Sequence, residues 1–402
     1  MAVATSVATW YVHDTGNDFW WRAKAPAEAV GGRVAVIKGA DIMQALSEPN
    51  VHTPLPWSIR LTLEDGSQVK VRTSQGWTYR TNARTRYTHL EPEYPSHEGA
   101  AIFTRPAVLQ AMHGEQMRSL GIRTIAETDD NYLANQNFNL LLREIDFGPK
   151  EREMHARVYH SFDAIVFSTE WLRDRYFREL RDKFGRKGMP ELCVARNHVD
   201  LKHWPEPVER DPGAPVRVGF MGSTSHLWDI NRAYGAFKAA KQAGATTTVI
   251  GYNPANPDKG YHLLNRSERS QAFIEAWSDA IDTHIPWVES DQYHRAALPL
   301  DIGLCPLIHN DFTAGKSDVK AIEYTISGAA VVAMNLPIYN SNWKHEETCL
   351  LVNDWREMVQ AVLRLIYDPK LRYELVTNAQ EYVREERGHT QLNDEWKAAI
   401  YG

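Results

Sequence analysis

The stretch Asp301–Met334 reads DIGLCPLIHNDFTAGKSDVKAIEYTISGAAVVAM, and its periodicities decide the fold. An apolar run from Ile302 to Leu307 gives way to a polar loop. Apolar residues then recur at helical spacing (Val319, Ile322, Ile326) as far as Gly328, and a second apolar run, Ala329 to Met334, follows at once. Two buried strands joined by a helix make a βαβ unit, with Ser317 as the expected helix cap and Gly328 in the left-handed position after the last turn.

A helix that starts beyond the carboxyl end of a parallel strand presents unpaired backbone N–H groups and the positive end of its dipole. Gly315, Lys316 and Ser317 therefore open an anion site, to which Lys316 and Lys320 add mobile positive charge. One turn further on, the Glu323 carboxylate is an acceptor only, which suits the two adjacent hydroxyls of a sugar ring. Phosphate at the helix start and a diol one turn in together describe a nucleotide. The triplet Gly315-Lys316-Ser317 is not a P-loop, because the glycine needed five positions earlier is Asn310. The same residues also fit a solvated helix face with one glutamate and two lysines.

The run Lys316-Ser-Asp-Val-Lys320-Ala-Ile-Glu323-Tyr, followed by Gly328 and Val331-Val-Ala333, resembles the nucleotide-sugar signature of group 1 (family 4-like) GT-B glycosyltransferases. Members carry two glutamates separated by seven residues, the second binding the nucleotide ribose. Glu323 matches the second; the first falls on Gly315, which leaves Lys316 or Asp318 to read the donor sugar. The resemblance implies an α/β protein of two Rossmann-like domains facing a central cleft. It also implies retention of anomeric configuration and donor binding without metal or other cofactor.

In the resembled fold the turn Gly219-Phe-Met-Gly222-Ser223-Thr-Ser-His226 lies under the donor phosphates. Gly222 and Ser223 would let backbone approach the pyrophosphate, and His226 stands where a basic residue is usual, although a lone histidine is also commonly structural. Tyr252 falls where the fold places the nucleotide base. Gly16, in the turn after a first strand at residues 9–13, faces the cleft in that fold; an ordinary tight turn explains it equally well.

At 402 residues and 43% hydrophobic content, the chain has material for two domains with cores. The expected boundaries are an acceptor domain at 1–205, a proline- and charge-rich linker at 206–215, a nucleotide-sugar domain at 216–380, and a tail at 381–402 packing back on the first domain as in the resembled fold. Alternating residues from Trp57 to Leu63 and Val69 to Arg72, around Asp65-Gly66, predict a β-hairpin inserted at about 52–90. Its distal part, Thr73 to Leu90, interleaves Arg80, Arg84, Arg86 and His89 with Trp77, Tyr79 and Tyr87 and contains no acid. That pattern fits an acceptor carrying phosphate, a lipid-linked glycan or nucleic acid, and equally a surface hairpin with snorkelling arginines.

Arg105 and His113 are further acceptor-side candidates. The cluster Glu127-Thr-Asp129-Asp130-Asn131 ends a strand and could hold Mg²⁺. Group 1 sequences carry similar Asp-Asp tips without a donor metal, so no metal is expected and Asp129 joins Lys316 and Lys320 as a catalytic candidate, meeting the acceptor hydroxyl. A net charge of −6 argues against broad nucleic-acid binding. Three scattered cysteines predict neither a disulfide framework nor a zinc site and point to a reducing cytoplasm. Neither a signal peptide nor an apolar run of ~18 residues is apparent. The expected activity is transfer of a sugar from a nucleotide-diphosphate sugar to a hydroxyl of a glycan, protein or lipid-linked acceptor. The alternatives are transfer to modified nucleic acid and non-catalytic nucleotide-sugar binding.

Overall fold

A computed structural model describes residues 8–12, 20–36, 58–63, 68–72, 87–93, 100–106, 114, 118, 121–134, 148–199, 201–203, 211, 213–223, 226–255, 271–286 and 299–402. The chain divides into two compact units, one of Met1–Asp129, Lys150–Arg196 and Leu392–Gly402, the other of Asp130–Pro149 and Asn197–Gln391.

The first unit contains β1 (Thr9–Val12), β2 (Arg33–Val36), β3 (Ser58–Leu63), β4 (Gln68–Arg72), β5 (Tyr87–Glu93), β6 (Ala100–Thr104), β7 (Arg123–Thr128), β8 (Ala164–Phe167) and β9 (Glu191–Val194). Six of these pair in parallel in the order β2-β1-β6-β7-β8-β9. The runs Ala101–Phe103 and Ala164–Phe167 are fully buried, as strands covered on both faces must be. Trp10 on β1 meets Trp396 of the last helix, His389–Tyr401, edge to face at 5.5 Å. The predicted hairpin is present: β3 and β4 pair antiparallel with Ser58 opposite Arg72. The sequence reading missed a third strand, β5, which pairs antiparallel with β3 and carries the insertion on to Glu93. The strand is not marked in the local sequence because its pairing depends on a partner far away in the chain.

The second unit contains β10 (Arg217–Gly222), β11 (Thr246–Gly251), β12 (Thr283–Ile285), β13 (Ile302–Cys305), β14 (Ala330–Met334) and β15 (Leu350–Val352), all parallel, in the order β12-β11-β10-β13-β14-β15. Strand order reverses between β10 and β13, and a crevice opens at the carboxyl ends of strands at such a switch point. The helix Val319–Ile326 connects β13 to β14 as the periodicity requires, and Gly328 takes φ 79° after it. Ser317 is not the cap. Asp318 occupies that position, and its side chain does not bond back to the helix.

This helix is seated by Tyr324. Its hydroxyl accepts from the Met221 N–H at 2.9 Å and donates to the Leu304 carbonyl at 3.3 Å, so one ring ties the helix to β10 and β13. Gly303 on β13 makes room for it, since a Cβ there would overlap the Tyr324 ring. Gly303→Ala is expected to cost about 1–3 kcal/mol or more as an overpacked core, read as a lowered urea midpoint. An unchanged midpoint would show that the ring is free to move aside.

Candidate active site

The site grows from two loops on either side of the switch point. After β10, Gly222 accepts from the Tyr252 N–H at 2.8 Å, and the Ser223 carbonyl accepts from the His226 N–H at 3.0 Å. His226 precedes the helix Leu227–Gln242. A Cβ on Gly222 would stand 2.9 Å from the Phe220 ring and 3.2 Å from His226 Cδ2, so glycine at the strand end leaves space for the imidazole.

After β13, the Asn310 side-chain oxygen accepts from the Phe312 and Thr313 N–H groups, both at 2.9 Å, and starts the short 3₁₀ turn Thr313–Gly315. Asn310, which excluded a P-loop, is therefore the residue that shapes this turn. Lys316 follows in extended conformation, with Nζ 2.7 Å from Asp130 Oδ1 and 4.8 Å from the centre of the Phe312 ring. Asp130 opens the 130–149 segment of the same unit. The Ala321 and Ile322 N–H groups both donate to the Asp318 carbonyl, so the N–H groups of the helix's opening residues precede the intrahelical ladder.

Lys320 and His226 meet across the switch point. Lys320 Nζ lies 3.2 Å from His226 Nε2, and His226 Nδ1 lies 2.8 Å from Asp229 Oδ2. Asp229 Oδ1 in turn accepts from the Ile308 N–H at 2.9 Å. Burial lowers the Lys320 pKa; Glu323 opposes the shift and Lys316 adds to it. Glu323, one turn along, is 4% exposed. Lys320 and Glu323 thus lie on the first turns of the helix, with Lys316 three residues before it.

Burial also holds His226 neutral. The Lys320 charge adds to this, the hydrogen bond to Asp229 opposes it, and the pKa falls from the ordinary 6.5 to about 4. Between those values the unfolded chain binds more protons than the folded one, so stability falls as pH falls from 6.5 to 4, by about 3 kcal/mol for this group. His155, in the first unit beside the Tyr176 hydroxyl at 2.8 Å, is lowered by burial to about 3 and acts in the same direction. Urea midpoints are expected to fall between pH 7 and 4 by less in His226→Gln than in the parent chain. Identical pH slopes would refute the assignment of His226.

Two predicted donor contacts have other tasks. His226 already uses both ring nitrogens, so it stands behind Lys320. Asp318, 1% exposed, takes Arg387 on both carboxylate oxygens (Nη1–Oδ2 2.5 Å, Nη2–Oδ1 2.7 Å) and the Trp343 indole N–H at 2.9 Å. Arg387 Nη2 also donates to the Asn197 carbonyl at 2.7 Å. Tyr252 is buried at the end of β11.

In the first unit, Arg105 and Asp129 come together at the carboxyl ends of the adjacent strands β6 and β7. The guanidinium bonds both carboxylate oxygens (Nη2–Oδ1 2.8 Å, Nη2–Oδ2 3.1 Å), and Arg105 itself has a left-handed φ of 47°. The third acid of that segment, Glu127, is buried against Arg22 at 2.5 Å, and desolvation raises its pKa to about 7. Each member of the acidic tip therefore faces a cation, and among the described residues no group of three His, Cys, Asp or Glu side chains could hold a metal ion. Gly16, Arg80, Arg84 and His113 lie outside the described residues. Asp229, Arg387 and Trp343 were not singled out in the sequence; the only local signal was the i, i+3 spacing of His226 and Asp229.

No family model matches the chain, and no curated protein matches it. Solved structures do. The sucrose-phosphate synthase of Thermosynechococcus elongatus is 14% identical, with a TM-score of 0.59 over 98% of each chain. Anabaena HepE in complex with UDP and glucose is 10% identical, with a TM-score of 0.60 over 97% of this chain and 98% of that one. The α,α-trehalose 6-phosphate synthase of Burkholderia multivorans is 13% identical, with a TM-score of 0.57 over 98% of each. Among the described residues, no helix is long and apolar enough to cross a membrane. Two parallel α/β sheets, the second in doubly wound order with its switch point beside the helix Val319–Ile326, give this chain the GT-B fold.

Proposed function

We propose that the chain is a glycosyltransferase that draws its sugar from a nucleotide-diphosphate donor, retains anomeric configuration and needs no metal for donor binding. The observation that carries this reading is the placing of Lys320, fixed by His226, one turn before the buried Glu323 at the switch point of the second sheet. Glu323 grips the ribose, and the backbone around Gly222 and Ser223 approaches the pyrophosphate while Tyr252 adjoins the base. Lys316, Lys320 and the N–H groups of the helix start stabilise the departing diphosphate, supplying the positive charge that a metal ion supplies elsewhere. The described residues present no evident protein nucleophile, so a front-face displacement assisted by the leaving phosphate is the proposed step. Asp129, held by Arg105, receives the acceptor hydroxyl.

The structural neighbours direct the choice of donor: HepE is recorded with UDP-glucose, so UDP-sugars are tested first, beside GDP-, ADP- and dTDP-sugars, each with and without Mg²⁺. Calorimetry is expected to find one nucleotide bound regardless of Mg²⁺, and about 10–100-fold more weakly in Glu323→Ala, the cost of losing hydrogen bonds to a charged group. Binding with neither transfer nor slow donor hydrolysis would favour a non-catalytic binder, and absence of binding would overturn the reading.

A further inference from the structure

We propose that His226 and Asp229 form a positioning dyad that holds the Lys320 ammonium ready at the start of the helix Val319–Ile326, leaving its two other N–H groups for the diphosphate. The identity of that anion rests on the glycosyltransferase reading; the dyad itself rests on geometry.

The hydrogen bonds run in one consistent direction. A carboxylate only accepts, so Asp229, anchored on the Ile308 N–H, places the proton of His226 on Nδ1. Nε2 is then a lone pair, and an ammonium, which only donates, is the partner that fits it at 3.2 Å. A free lysine side chain samples many rotamers. Here that freedom is removed on folding, so the charge is in place before a ligand arrives.

The imidazole keeps no nitrogen for substrate and acts only through the lysine. Lys320, Lys316 and Asp229 bear electrostatically on the imidazole, and Glu323, Lys316, Asp229 and Cys305 on the ammonium. Protonating His226 would turn the Nε2 acceptor into a donor and set a second cation against Lys320.

Two measurements on the full chain test this. In ¹⁵N-histidine NMR at pH 6.5, His226 is expected as the neutral Nδ1–H tautomer, and Asp229→Asn is expected to disturb that signature. An Nε2–H tautomer in the parent chain would overturn the dyad. Hydrolysis of UDP-glucose is then compared in His226→Leu and His226→Gln, whose amide oxygen can still accept from Lys320. The leucine variant is expected to lose rate on the order of 10–100-fold, as displaced catalytic groups do, with uridine affinity unchanged, and glutamine to restore most of it. Equal losses in both folded variants, or none in leucine, would overturn the proposal. The expected tautomer without binding of UDP or any other nucleotide tested would instead support the dyad and refute the donor reading.

Discussion

Lys320→Ala is expected to lower sugar transfer, or slow donor hydrolysis, by about 10²–10³-fold, the loss typical of removing one preorganised group from a developing anion. The lysine is partly buried, and its ammonium lies 3.2 Å from His226 Nε2. A charge in that setting acts through a lower dielectric than one in water and needs little reorganisation as the diphosphate departs. Lys316→Ala should lose less, because that side chain is 25% exposed and already paired with Asp130. Lys320→Arg should rescue poorly, since a planar guanidinium cannot reproduce a compact ammonium against Nε2. Single-turnover kinetics of the three variants separate these effects. A Lys320→Ala enzyme within a few-fold of the parent would remove Lys320 from the machinery.

Asp318→Ala is expected to destabilise the second unit by about 3–5 kcal/mol, the range for breaking a buried ion pair from one side. Arg387 is 1% exposed, and without Asp318 its guanidinium would retain only neutral partners such as the Asn197 carbonyl, while the Trp343 N–H would lose its acceptor. Replacing both partners with apolar residues, Asp318→Leu with Arg387→Met, should cost much less than either single change, because no buried charge is then stranded. Urea denaturation of the two single variants and the double variant forms the cycle that checks this. Additive losses would mean the pair is not coupled. Because Asp318 sits immediately before the helix, partial unfolding there should also weaken nucleotide binding, although the residue touches no proposed ligand.

The βαβ unit, the helix carrying Lys320 and Glu323, and the left-handed Gly328 are all legible in the sequence. They depend on local periodicity and on a residue type that alone adopts positive φ cheaply, and both are written within thirty-four consecutive residues. The hairpin of β3 and β4 is legible for the same reason.

The helix cap shows where local rules stop. Ser317 has the right chemistry for it, but Asp318 takes the position and turns its carboxylate away, because Arg387, sixty-nine residues later, needs a counter-charge in a dry place. His226 as a support for Lys320 is hidden in the same way, the two being ninety-four residues apart. The sequence by itself determined the βαβ unit, the β3–β4 hairpin and the side chains that the helix Val319–Ile326 carries. Tertiary structure decided which charges are paired, which imidazole nitrogen accepts and which carboxylate is occupied, since burial and long-range contact set the energy of an ionised group far more than its neighbours in the chain do.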